Sequence, residues 1–354
     1  MASQVSHDAV AAMRRAVALS ASVGESTHPN PNVGAVVLDA SGAVVGEGAH
    51  WRAGGPHAEV VALAQAGERA RGGTLVVTLE PCTHTGRTGP CVDAVLAAGV
   101  ARVVVATLDP TPLAGGGAAL LRGAGLSVET GVLAEAAADA NERWLTIQRE
   151  RRPFVIWKVA STLDGRVAAA DGTSRWISSP ESRADTHDLR AACDAVVAGV
   201  GTVLADDSQL TARLASGEPA GRQPLRVVVD THGRTPAGAR VRDQSAPTWV
   251  ATAAELGLDA TGHVDLAALL DALWARGCGL VLLEGGPTLA GAFLRAGLVD
   301  RVWAYVAPLL LGDGVAALAG TGVTTLPDAL PLEFLDVQRV GPDLRVVARP
   351  RKDG

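Results

Sequence analysis

The sequence predicts an α/β protein of two domains. Three observations carry this reading. The chain has 354 residues, which at ~150 residues per domain leaves room for about two cores. Short apolar runs of strand length alternate with helically spaced segments in both halves, the pattern of layered α/β folds. The polar stretch Gln148-Arg149-Glu150-Arg151-Arg152-Pro153 interrupts the alternation once and ends in a helix breaker. The expected domains are therefore 1–148 and 152–354.

The elements follow in order. Over 8–20, Val10, Met13 and Val17 recur at helical spacing with Arg14 and Arg15 opposite. Apolar runs at 33–38 and 43–47 flank Asp39-Ala40-Ser41-Gly42, which reads as a β-hairpin. His57 opens a helix to about 66, 74–79 is a buried strand, 90–98 a short helix and 103–107 a strand. A helix over 116–124 leads to a strand near 127–129. A hairpin followed by alternating strands and helices implies an α/β sandwich. The second half restarts with a strand at 154–160. Ser178 and Ser179 can cap a helix that has Pro180 in its first turn. Strands are expected at 195–199, 225–230, 248–251, 280–283 and 302–306, and helices at 265–275 and 288–296. Runs at 334–339 and 344–348 around Gly341-Pro342-Asp343 read as a closing hairpin.

Composition narrows the function classes. Hydrophobic residues make up 48% and charged residues 19%, so the chain can bury sizeable cores. A net charge of −6 argues against a nucleic-acid coat. Four cysteines are too few for a disulfide scaffold of this size. No apolar run of about 20 residues suggests a membrane span, and residues 1–10 lack the basic and apolar regions of a signal peptide. A soluble cytoplasmic protein is expected.

The densest chemistry lies between His57 and Cys91. His57-Ala58-Glu59 is followed by Pro81-Cys82 and, after eight intervening residues, by Cys91. One imidazole and two thiolates suit Zn²⁺ and leave its fourth position open for water. The predicted ligand segments fall at helix starts, where the dipole favours thiolate. Glu59 need not be a ligand and is placed to move protons, the arrangement of the zinc-dependent deaminases. A disulfide between Cys82 and Cys91 is disfavoured in a reducing compartment. A closed structural zinc site would need a fourth ligand, which His84 could supply, but it leaves Glu59 unexplained.

The segment Thr78-Leu79-Glu80-Pro81-Cys82-Thr83-His84-Thr85-Gly86-Arg87-Thr88-Gly89-Pro90-Cys91 closely resembles the bifunctional riboflavin-biosynthesis deaminase–reductases. So do Pro29-Asn30-Pro31-Asn32-Val33-Gly34 and Gly46-Glu47-Gly48-Ala49-His50. The resemblance continues in Lys158, Ser161-Thr162-Leu163-Asp164-Gly165, Trp176-Ile177-Ser178 and Gly201-Thr202-Val203-Leu204-Ala205-Asp206-Asp207, and ends with Glu284-Gly285-Gly286-Pro287-Thr288-Leu289 and Ala307-Pro308. It covers nearly the whole chain. Gly89 stands where the family usually has Pro, and Gly116 where it often has a basic residue.

The resemblance implies a cytidine-deaminase-like three-layer sandwich, then a dihydrofolate-reductase-like domain. It implies two steps. Zinc-dependent hydrolysis removes the 2-amino group of 2,5-diamino-6-(5-phosphoribosylamino)pyrimidin-4(3H)-one. NADPH then reduces the ribosyl unit to give 5-amino-6-(5-phosphoribitylamino)uracil. By family position, Asn30, His50, His84 and Arg87 contact the deaminase substrate. Ala160, Trp176, Thr202, Asp206, Thr231, Gly286, Pro287, Thr288, Leu289, Ala290, Gly291 and Ala292 contact NADPH. Ser174, Arg190, Leu210, Arg213 and Glu284 contact the reductase substrate. A homodimer or homotetramer is implied. The rival readings are a nucleoside or nucleobase deaminase with an appended binding domain, and a non-enzymatic zinc-stabilised scaffold. The long Cys82–Cys91 spacing disfavours the first.

Overall fold

The computed structural model describes residues 7–24, 26–86 and 89–351. The chain divides into two compact units, Met1–Arg151 and Arg152–Gly354.

In the first unit α1 (His7–Ala21) precedes the hairpin β1 (Gly34–Leu38) and β2 (Val44–Ala49). Then come α2 (Ala58–Ala66), β3 (Thr74–Leu79), α3 (Cys91–Ala98), β4 (Arg102–Thr107), α4 (Gly117–Gly123) and β5 (Ser127–Thr130). The unit ends with α5 (Ala134–Ala140) and α6 (Glu142–Glu150). The sheet order is β2-β1-β3-β4-β5. β1 runs antiparallel to β2 and β3, whereas β3, β4 and β5 are parallel. Period-two alternation sends side chains to opposite faces. Ala35, Val37, Leu75, Val77, Val103 and Val105 pack against α2, α3 and α6 through Ala62, Val95 and Trp144. Val36, Val76 and Val104 pack against α1 through Ala9, Met13 and Ala16. The result is a three-layer sandwich. A Cβ on Gly48 would collide with the Ala58 carbonyl oxygen. The missing side chain lets the start of α2 lie on the hairpin, which sets where His57 and Glu59 sit.

The second unit opens with β6 (Phe154–Thr162), β7 (Arg166–Ala169), α7 (Pro180–Ala192), β8 (Ala195–Gly199), α8 (Val200–Asp206) and β9 (Leu225–Val229). It continues with β10 (Thr248–Ala251), α9 (Ala253–Leu256), α10 (Leu266–Ala275), β11 (Leu280–Leu283), α11 (Pro287–Arg295) and β12 (Arg301–Ala307). It closes with β13 (Gly314–Ala316), β14 (Leu332–Val340) and β15 (Asp343–Pro350). The main sheet has the order β10-β9-β8-β11-β6-β12-β15-β14, and β13 pairs with β7 in a small second sheet. Pairs from β10 to β12 are parallel; β15 and β14 are antiparallel. One face of the parallel strands buries Val155, Val197, Val227 and Val281 against Leu269 and Leu273 of α10 and Phe293 of α11. The Ser179 hydroxyl accepts from Ser182 N–H as the α7 cap, with Pro180 at the first position, as the sequence suggests.

Some elements are invisible in the pattern. Residues 134–150 form two helices, of which α6 carries the polar boundary stretch as far as Glu150. Arg151, at φ 53°, ends it. The first of these helices is alanine-rich and offers no apolar stripe. The helix α8 begins directly where β8 ends, so β-branched residues of both run together.

Candidate active sites

The first site lies in the Met1–Arg151 unit. His57 is the residue before α2, and no side-chain cap hydrogen bond occupies its imidazole. Cys91 is the first residue of α3. Cys82 follows β3. The His57 Nδ1, Cys82 Sγ and Cys91 Sγ atoms all lie within 4.8 Å of one another. His57 Nδ1 is 3.1 Å from Cys91 Sγ and 3.6 Å from Cys82 Sγ. A tetrahedral ion with Zn–N of about 2.0 Å and Zn–S of about 2.3 Å separates its ligands by roughly 3.5 Å. The donors are therefore gathered close to a zinc-binding arrangement, with the His57–Cys91 pair a few tenths of an ångström tighter than it. The Cys82 thiol is pulled down to about 4, first by the Cys91 thiol donating to it and then by His57. Cys91, as that donor, is pushed well up. One thiolate is thus already favoured and the imidazole beside it is raised by the same contact.

Glu59, in the first turn of α2, is buried beside the ligands and its pKa is raised by desolvation. A carboxyl held near the ligands with a raised pKa is suited to carry a proton. The ligand segment is clasped by its neighbour Glu80. Its two carboxylate oxygens accept from Asp109 N–H at 3.0 Å and Ala118 N–H at 2.8 Å. A Cβ on Gly117 would collide with the Pro81 carbonyl oxygen, so loop 109–117 lies directly against the Cys82 segment. Gly116 adopts φ 93°, a conformation that disfavours the basic residue the family often has there.

These residues form one wall of a cavity of about 670 Å³. Asn30, His50 and His84 line it. His50 Nδ1 meets the Pro56 carbonyl at 3.0 Å, so Nδ1 carries the proton. Its Nε2 then accepts from Asn30 Nδ2 at 3.0 Å, which leaves the Asn30 oxygen for a ligand. Burial holds His50 below the usual imidazole range. His84 Nδ1 is buried with no hydrogen-bond partner. Arg87 lies outside the described residues. Sequence reasoning did not place Trp144 and Gln148 of α6 at the site, yet both line the cavity; no short motif links them to the ligands.

The second site is a cavity of about 860 Å³ in the Arg152–Gly354 unit. It follows the C-terminal ends of β6, β11, β8 and β9, where ligands of open parallel sheets bind. Ala160, Ser174, Thr202, Asp206, Thr231, Glu284, Gly286, Pro287, Thr288, Leu289 and Ala292 line it. Ser174 Oγ donates to Asp206 Oδ1 at 3.3 Å. Gly286 precedes α11, with Pro287 at the helix start, so backbone N–H groups of the first turn are open to an anion. Volume, helix start and polar lining fit an elongated dinucleotide. Lys158 also lines the cavity, and burial lowers its pKa against the opposing pull of Glu284.

Other expected contacts do not reach this cavity. Ala290 is fully buried in the core, because it lies on the inner face of α11. Gly291 packs on the Ala319 backbone, where a Cβ would collide. Trp176 is 67% exposed and sits under the Arg183 guanidinium at 4.3 Å. Leu210 is buried at φ 55°. Arg190 grips Glu284 with two bonds of 2.5 and 2.8 Å and donates to the Thr211 carbonyl at 3.0 Å. Arg213 donates to Gln209. Burial pushes the Glu284 carboxyl up, but the Arg190 charge outweighs it and holds the group below its usual range.

Comparison with known proteins covers both halves of the chain. Residues 6–107 match the cytidine and deoxycytidylate deaminase zinc-binding region, and residues 153–346 match the RibD C-terminal domain. The riboflavin biosynthesis protein RibD of Mycobacterium tuberculosis is 50% identical over 94% of this chain and 95% of its own. That of Escherichia coli K12 is 42% identical over 94% and 96%. The solved structure of Acinetobacter baumannii RibD superposes with a TM-score of 0.78 at 40% identity, covering 98% of this chain and 99% of that one. A Thermotoga maritima diaminohydroxyphosphoribosylaminopyrimidine deaminase/5-amino-6-(5-phosphoribosylamino)uracil reductase gives 0.77 at 35% identity, covering 98% and 99%. By this similarity over nearly its full length, the chain belongs to the RibD family, the bifunctional deaminase–reductases of riboflavin biosynthesis.

Proposed function

We propose that this chain performs both steps on the phosphoribosylated pyrimidine. The deaminase lies within 1–148 and the reductase within 152–354. The observation that carries the first step is the preassembled His57, Cys82 and Cys91 donor set with Glu59 buried beside it. Those three residues would hold zinc, which when bound lowers the pKa of a coordinated water to roughly 7 and keeps one position open. Glu59 holds the proton released by water and returns it to the 2-amino group. The carbon–nitrogen bond breaks, ammonia leaves and the ring gains a carbonyl oxygen. Asn30 and His84 hold the pyrimidine in register, and Arg87 is assigned to its phosphate.

In the reductase the first turn of α11 is assigned to the coenzyme pyrophosphate. NADPH, bound along the strand ends, supplies the hydride. Lys158, Asp206, Ser174 and Glu284 surround the reducing end, where they orient the sugar and balance charge. The reaction there is largely a matter of positioning. Arg190 fixes Glu284 in place through a two-bond ion pair.

A homodimer or homotetramer is proposed, supported by exposed Phe334, Leu335 and Val337 on the edge strand β14. No helix among the described residues is long and apolar enough to cross a membrane. None of Cys82, Cys91, Cys193 and Cys278 is in a disulfide, which suits a reducing cytoplasm. The test is a coupled assay with the diaminopyrimidine phosphoribosyl substrate and NADPH. NADPH oxidation should proceed, stop on zinc chelation, and resume when the deaminated intermediate is supplied. Ammonia release without NADPH oxidation would remove the second step. Neither signal from zinc-loaded protein would move the substrate assignment to another base.

A further inference from the structure

We propose that Arg234 is the residue that selects NADPH over NADH, by taking the 2′-phosphate of the adenosine ribose. This rests on the dinucleotide reading of the second cavity. The sheet order itself arranges the groups along that cavity. Lys158 belongs to β6 and Glu284 follows β11. Gly199 ends β8 and Thr202 follows it, and the turn Gly285–Thr288 lies beside them. Thr231 and Arg234 follow β9. From β6 to β9 the sheet takes three strand steps of about 4.8 Å, or roughly 14 Å. A hydride donor at the β6 end with its pyrophosphate at the middle turn therefore places its adenosine ribose at the end of β9.

Arg234 is built into that end. It sits in a turn whose anchor is Asp230, fully buried, with Oδ2 accepting from Thr235 N–H and Thr235 Oγ1, each at 2.7 Å. Arg234 lines the cavity, and no side-chain hydrogen bond or ion pair engages its guanidinium among the described residues. Loop 259–263 follows β10, the neighbour of β9, and reaches the same cavity. There Asp259 Oδ1 is already used by Thr261 N–H, Thr261 Oγ1 and His263 N–H at 2.8, 2.7 and 3.0 Å. With its proton on Asp259, Thr261 Oγ1 accepts from His263 Nδ1 at 3.1 Å and turns the other imidazole nitrogen free. A 2′-hydroxyl would call for an unengaged carboxylate at this position, whereas a 2′-phosphate calls for an arginine. Arg295 is the other guanidinium on the cavity lining, and it is spent on the Gly320 carbonyl.

The test is calorimetric titration of the full-length chain with NADP⁺, NAD⁺, 2′,5′-ADP and 5′-AMP. Wild-type protein should prefer each phosphorylated member of a pair. Arg234→Ala should weaken NADP⁺ and 2′,5′-ADP by roughly 10-fold to 100-fold, as for loss of a charged hydrogen-bond donor. NAD⁺ and 5′-AMP should bind unchanged, and Arg234→Lys should recover part of the loss. The proposal is overturned if wild type does not discriminate within the pairs, if Arg234→Ala weakens all four alike, or if Arg295→Ala produces the selective loss instead. Failure of wild type to bind any of the four would overturn the dinucleotide reading as well.

Discussion

The two cavities are built by opposite strategies. In the first, the chemical groups come from 35 residues of sequence, His57 to Cys91, on two helix starts and one strand end. In the second, they come from strand ends spread between Lys158 and Glu284, and the α11 turn contributes backbone rather than side chains. The first site is therefore decided by side-chain identity, and the second by the order of strands in a sheet. Single substitutions should cut deep in the first and act by degrees in the second.

The largest expected effect is on Glu59. Glu59→Gln should lower the deamination kcat by about 10²–10⁴-fold, the range for a lost general acid–base, while leaving zinc bound and reduction intact. Full deaminase activity in zinc-loaded Glu59→Gln would break the contrast at its strongest point. Next, Cys91→Ala should abolish stoichiometric zinc, read by metal analysis, with NADPH-dependent reduction of supplied intermediate retained.

Third, Glu284→Gln leaves the buried Arg190 charge uncompensated and should cost about 3–5 kcal/mol in urea unfolding of the second unit. The same pair sets a pH dependence. The folded pKa of Glu284 is depressed. Its contribution is present above the unfolded carboxylate pKa of about 4.3 and is lost as pH falls through the lower folded value. Wild-type stability should thus fall more steeply in acid than that of Glu284→Gln. Fourth, Gly117→Ala should push the Pro81–Cys82 segment and weaken zinc retention against a chelator by about tenfold. The smallest effect is expected at Trp176. Its ring lies outside the cavity, so Trp176→Ala should leave the NADPH KM unchanged. A large rise would show that the second site closes over its coenzyme with a residue the free chain holds outside.

The same contrast explains what could be read in the sequence. The zinc ligands and Glu59 were legible because one helix start fixes the relation of His57 to Glu59, and a strand end followed by a helix start fixes Cys82 and Cys91. The parallel strands of the two large sheets were legible because buried parallel strands are continuous β-branched runs, as in Val103-Val104-Val105, whereas the short β7 and β13 of the small sheet were not. Trp144 and Gln148 were not, because their helix is stitched to the first site only by tertiary packing. The inward turn of Ala290 and Gly291 was missed for a related reason. A sequence block that matches a coenzyme-binding family spans a helix, and a helix presents only part of its circumference to any ligand. Arg234 carried no motif at all; its significance comes from β9 lying three steps from β6.

Each cavity is lined only by residues of its own unit. The peptide bond between Arg151 and Arg152 consequently contributes no atom to either reaction. What it guarantees is stoichiometry: every deaminase is synthesised with one reductase. A cell making this chain cannot accumulate the deaminated intermediate by expressing one activity ahead of the other.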